Sequence, residues 1–155
     1  MKERYYLKFI IKYVKTFSKL FLFAIIIGLI CGAAGVCFNI CLSKVTNLMQ
    51  IHTYLLYFLP LSGLIIAFLY QKTNMQAYEG TNTVLRAVQD NKNVPLRMTP
   101  LIFIGTSLTH LCGGSAGREG AALQLGGSIS CFFAKLFRLE DTDKRIVILC
   151  GMSAV

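Results

Sequence analysis

Long stretches without a single charge constrain this chain more than any other feature. No Asp, Glu, Lys or Arg lies between Lys19 and Lys44, from Thr53 to Gln71, or from Met98 to Gly117. Each of these blocks reaches the roughly 18–20 residues that a helix needs to cross about 30 Å of hydrocarbon. A fourth block, Gly120 to Ala134, is shorter, which implies a helix that starts part-way into the membrane. A fifth opens at Ile146 and is still running at Val155. The blocks predict an all-α, polytopic membrane protein with no soluble domain.

The net charge of +9 raises the question of nucleic acid, and its distribution answers it. Lys2, Arg4, Lys8, Lys12, Lys15 and Lys19 precede the first span against Glu3 alone. The loop after that span carries only Lys44, whereas the loop after the second carries Lys72, Arg86, Lys92 and Arg97. Basic, poor, then basic is the positive-inside pattern, which places the N-terminus in the cytoplasm and leaves no nucleic-acid surface to explain. Heavy use of Lys, Ile and Asn points to an AT-rich bacterial genome, and so to the bacterial cytoplasmic membrane.

Residues 1–19 read as an amphipathic helix at the inner surface, with Tyr5, Tyr6, Phe9, Ile10, Tyr13 and Phe17 recurring between the lysines. Residues 20–155 form the transmembrane part. A cleaved signal peptide is excluded, because the apolar block after Lys19 is too long for an h-region and no small-residue cleavage site ends it. Gly28 and Gly32 stand at GxxxG spacing beside Ala33, Ala34 and Gly35, a surface on which helices pack closely. Thr83 to Gln89 is a short helical stretch between the polar turn Asn74–Asn82 and the punctuation Asp90-Asn91-Lys92-Asn93-Val94-Pro95. Arg138 to Arg145 reads as a charged turn. The six cysteines lie in or beside apolar blocks without a CxxC pair, as small hydrophobes do. His110 and Cys112 are two ligands at most, too few for a metal site. No cofactor is implied.

The chemistry concentrates in Gly113-Gly114-Ser115-Ala116-Gly117-Arg118-Glu119-Gly120, which runs into Ala121-Ala122-Leu123-Gln124-Leu125-Gly126-Gly127. Irregular backbone in a membrane is tolerated only where it is buried in protein or lines a watery cavity. Glycines permit the turn and the approach of a ligand to the backbone. The helix that follows presents free N–H groups and the positive end of its dipole, an anion site that needs no lysine. Glu119 lies in the first turn. Its carboxylate is a tethered anion that blocks the site when charged and vacates it when protonated, which couples anion passage to protons. A structural Arg118–Glu119 pair, with the glycines serving only helix packing, is the competing reading. No Gly-Lys-Ser/Thr follows the glycines, so a phosphate-binding P-loop is excluded.

GGSAGREG followed by AALQLGGSIS resembles the gating segment of the CLC family of chloride channels and proton-coupled chloride or fluoride antiporters. That family's pattern is GREGP with a Gln and a Gly-Gly downstream; here Ala121 holds the proline position, and Gln124, Gly126 and Gly127 follow. The resemblance implies the first, partial half of a CLC-type inverted-repeat helical fold and, in the complete protein, a homodimer. It makes Glu119 the gating and proton-coupling glutamate and places anion-binding backbone at Gly117, Arg118, Glu119 and Gly120. The family's GSGIP motif falls near Gly80-Thr81-Asn82-Thr83-Val84, with Thr81 at the serine whose hydroxyl binds the central anion. Chloride is the expected ion, and fluoride the alternative, since VPLRMTPL and GGSAGREG also resemble the surroundings in the fluoride-selective relatives. Gly151-Met152-Ser153-Ala154-Val155 resembles the start of a further membrane helix.

The family's second Gly-rich helix start, pore tyrosine and internal proton glutamate have no counterpart in the chain. Residues 1–155 alone are therefore expected to transport nothing. Rapid chloride or fluoride efflux from liposomes carrying them, abolished by Glu119→Ala, would contradict this. Two other classes compete with transport. An accessory membrane subunit would ignore Glu119→Gln and respond to Gly28→Leu or Gly32→Leu. A membrane enzyme built from Ser107, His110 and Glu119 lacks a nucleophile–base–orienter set.

Overall fold

The computed structural model describes residues 2–75, 80–90 and 93–155, with side chains from residue 13 onward. Asn91, Lys92, residues 76–79 of the polar turn, and the Tyr5, Tyr6, Phe9 and Ile10 side chains lie outside the described residues. Among the described residues six α-helices follow in order: α1 (Lys2–Ile51), α2 (Leu59–Lys72), α3 (Thr81–Gln89), α4 (Met98–Leu111), α5 (Arg118–Leu136) and α6 (Asp141–Ser153). A 3₁₀ helix, Thr53–Phe58, leads into α2.

α1 is continuous, so the expected boundary at Lys19 is not a break in the helix. Its inward face carries Ile27, Cys31, Phe38 and Leu42, all buried at helical spacing, while Phe21, Leu22, Leu29, Val36 and Ile40 face outward. An exposed row this apolar marks a surface for a membrane or a protein partner. Tyr13–Ile51 and Thr53–Lys72 are both long and apolar enough to cross a membrane.

The uncharged block from Met98 departs from expectation: α4 stops at Leu111, about 21 Å long at 1.5 Å per residue, short of the 30 Å span. Gly113, at φ +77°, ends it. The Gly114 N–H bonds Thr109 O at 2.8 Å and the Gly113 N–H bonds His110 O at 3.1 Å, which together make a Schellman cap. The charged segment Arg138–Arg145 is likewise only partly a turn. α6 already begins at Asp141, because Glu140 at the N-cap and Asp141 and Asp143 in the first turn favour the positive end of the helix. α6 then runs through Gly151 to Ser153, so Gly151 lies inside this helix and does not open a new one.

α5 is the centre of the packing and touches α1, α3, α4 and α6, most extensively α6. Every residue from Leu125 to Cys131 is buried. Glycines set the approach: a Cβ on Gly126 would fall on the Gly151 carbonyl oxygen, and one on Gly127 on the Val84 side chain. At the opposite end of α6, Lys144 is buried and donates to Asn93 Oδ1 at 2.9 Å, and Asp143 meets Lys19 of α1 at 3.7 Å.

The GxxxG pair does not act as a unit. Nothing lies within 4 Å of a Cβ built on Gly28, whereas one on Gly32 would meet Ala154 O at 3.4 Å and one on Gly35 would meet Val155 Cγ1 at 2.8 Å. Gly28→Ala is therefore expected to hold the thermal midpoint in detergent or raise it slightly, since Ala favours a helix interior over Gly. Gly35→Ala should lower stability by about 1–3 kcal/mol, as overpacking does. Equal midpoints for the two variants would contradict this.

Candidate functional site

The break between α4 and α5 is held from three sides. Gly113 tucks against Met49 and Leu56, and Gly114 against Thr109 and Leu59, so neither position has room for a side chain. His110 Nε2 pairs with Ala116 O at 3.1 Å and ties the far end of the loop back to α4. The contact of His110 is with the loop that delivers Gly117. A histidine three residues before a glycine turn carries no signal of that kind by itself.

Gly117 is the N-cap of α5, extended at φ −64° and ψ 114°, and no side chain caps this helix. Its first N–H groups have no acceptor within the helix. α3 starts in the same manner: Gly80 at φ +60° is its N-cap, again without a side-chain cap. The two uncapped starts converge. Gln124 Nε2 donates to Thr81 Oγ1 at 3.0 Å, and a Cβ on Gly120 would meet the same oxygen at 3.1 Å. Gly80, Thr81, Gly117, Gly120 and Gln124 line one cavity of about 400 Å³ that also reaches α2 and α4.

Arg118 and Glu119 lie elsewhere. They face α1 across a larger cavity of about 680 Å³, together with Gly35, Phe38, Asn39 and Ala122. The expected site residues are thus divided by the helix itself. At about 100° per residue, positions 118, 119 and 122 turn toward α1, while 117, 120 and 124 turn toward α3 and α4. Both Arg118 and Glu119 are exposed. Arg118 Nη2 donates to Thr46 Oγ1 of α1 at 3.3 Å, and among the described residues no ion pair joins it to Glu119. The competing reading of a structural Arg118–Glu119 pair finds no contact here. What the arrangement offers chemically is two positive helix ends at one cavity that, among the described residues, no charged side chain lines, with the Glu119 carboxylate, without an ion pair among those residues, on the neighbouring face.

Residues 62–155 match the family described as voltage gated chloride channel. A chloride/fluoride channel protein of Pseudomonas syringae pv. tomato is 34% identical over 130 residues, covering 83% of this chain and 29% of the relative. An H(+)/Cl(−) exchange transporter ClcA of Salmonella arizonae is 30% identical over 156 aligned positions, covering 90% of this chain and 33% of the relative. The crystal structure of a CLC-type fluoride/proton antiporter superposes with a TM-score of 0.82 at 36% identity, over 89% of this chain and 35% of that one. The chain spans about a third of the length of the relatives it matches. A match over more than half of the chain, with the same helical fold, identifies it as an integral membrane protein that belongs to the voltage gated chloride channel family.

Proposed function

We propose that this chain supplies the anion gate of a transporter for small halides, coupled to protons through Glu119. The observation that carries this reading is the convergence of two uncapped helix starts, at Gly80 and Gly117, on one cavity that no basic side chain lines among the described residues. Partial positive charge from N–H groups attracts an anion without gripping it as a lysine would, which suits passage better than storage. Thr81 and the backbone of Gly117, Arg118, Glu119 and Gly120 bind the ion. Glu119 competes with it while charged and gives way when protonated.

Chloride and fluoride are the two readings of the ion. Chloride is supported by the exchange transporters among the relatives, and fluoride by the higher identity to the chloride/fluoride channel protein and to the fluoride/proton antiporter. In the membrane the N-terminus faces the cytoplasm, as the basic residues before α1 and after α2 require, lipid covers the outward face of α1, and the complete assembly is a homodimer. The test is halide efflux from liposomes carrying the protein expressed from its complete reading frame, compared with Glu119→Gln. Efflux indifferent to that change removes the gate.

A further inference from the structure

The cavity shared by α2, α3, α4 and α5 holds a group for which the gate has no use. Thr106, in the second half of α4, is only 8% exposed and is one of the residues that line that cavity. Its neighbours on the helix are satisfied within the protein: Thr99 pairs with Ser128, and Thr109 Oγ1 donates to Gly105 O at 2.8 Å. Among the described residues the Thr106 hydroxyl makes no hydrogen bond. A buried hydroxyl left in that state is unfavourable, and native structures supply a partner.

The partner is defined by what the cavity offers. Thr81 Oγ1 accepts from Gln124 Nε2, so the Thr81 O–H remains to donate into the cavity. Thr106 offers a second O–H, and the starts of α3 and α5 offer backbone N–H groups. Among the described residues no acidic or basic side chain lines the space. Several donors thus converge on the space, an arrangement that suits an anion. At about 400 Å³ the cavity has room for a halide with part of its hydration shell.

We propose that Thr106 is a further anion-ligating residue, its hydroxyl donating to a halide held at the α4 side of the α5 start. The smaller and harder the halide, the more it depends on O–H donors, so Thr106 sets preference for fluoride over chloride. This inference rests on the anion reading of the α5 start.

The experiment is calorimetric titration of the protein, expressed from its complete reading frame, with sodium fluoride and with sodium chloride. Thr106→Val, which keeps shape and removes the O–H, is expected to weaken fluoride binding about tenfold, the scale of one hydrogen bond to a charged group, and chloride binding clearly less. Thr106→Ser, which restores the O–H, is expected to stay within about twofold of the native protein. Circular dichroism and size exclusion report whether each variant is folded. Unchanged fluoride affinity in Thr106→Val overturns the proposal. So does an equal loss for both halides, a Ser variant as weak as the Val variant, or a native protein that binds no halide and holds water alone. Failure of the gate is distinguishable: efflux indifferent to Glu119→Gln with a selective fluoride loss in Thr106→Val removes the gate and keeps this site.

Discussion

Glu119→Gln is expected to abolish the pH dependence of halide efflux and to leave the flux at its high, acid-like level. Gln reproduces the size and neutrality of the protonated glutamate and cannot regain the charge. In the native protein, protonation by one group limits the rise in flux to about tenfold for each unit of falling pH. The variant should show a flat profile over the same range. The geometry gives this change its leverage. Glu119 is exposed in the first turn of α5 and lines the cavity facing α1, while the neighbouring cation, Arg118, is engaged with Thr46. Among the described residues no ion pair holds the carboxylate in place. It is therefore available to the positive helix end that a passing anion also seeks. Electrode-recorded efflux between neutral and acid pH provides the measurement. A variant that still accelerates with acid would show that the proton acts somewhere other than Glu119.

The second large effect is structural. Gly126→Ala is expected to prevent α5 and α6 from reaching their packed distance, at a cost of about 3 kcal/mol or more, the upper end of what overpacking a close-packed interior does. The reason is the identity of the obstructing atom. The added methyl would lie on the carbonyl oxygen of Gly151, which is backbone inside a helix and cannot rotate away. Gly126 O also accepts from Ser130 and from Cys31 Sγ at 3.7 Å, so a shift of α5 would disturb α1 as well. For a domain held by only 5–15 kcal/mol such a loss is severe. Gly63→Ala is the control, since nothing lies within 4 Å of a Cβ there. Yield and thermal midpoint in detergent should fall for Gly126→Ala and hold for Gly63→Ala. Equal behaviour of the two variants would mean that α5 and α6 do not approach each other at Gly126.

These two experiments probe features of different visibility. The apolar blocks, the start of α5 at the glycine break and the first-turn position of Glu119 are written in residue order, because charge, hydropathy and glycine act locally on the backbone. The helix lengths are less so. Met98 to Gly117 is as apolar as a full span, but the positive φ of Gly113 and the Schellman bonds cut it to a short helix. Hydropathy does not register a turn that pairs its own polar groups. The charged run Arg138–Arg145 hid the first turn of α6 for a related reason: the acidic residues that look like a loop are also those that stabilise a helix start.

The sequence by itself determined that the chain is a helical membrane protein and that a helix opens at the glycine break with Glu119 in its first turn. Only the tertiary structure decided which side chains share a cavity. That outcome depends on the rotation of α5 about its axis, which follows from close contacts at Gly126 and Gly127, about two turns further along α5, and at Gly151 of α6. It turns Glu119 toward α1 and brings Gly117, Gly120 and Gln124 to Thr81. Thr106 was invisible for the same reason. A threonine in an apolar helix usually bonds its own backbone, and it becomes a ligand only when neighbouring helices bury it beside a space that needs a donor.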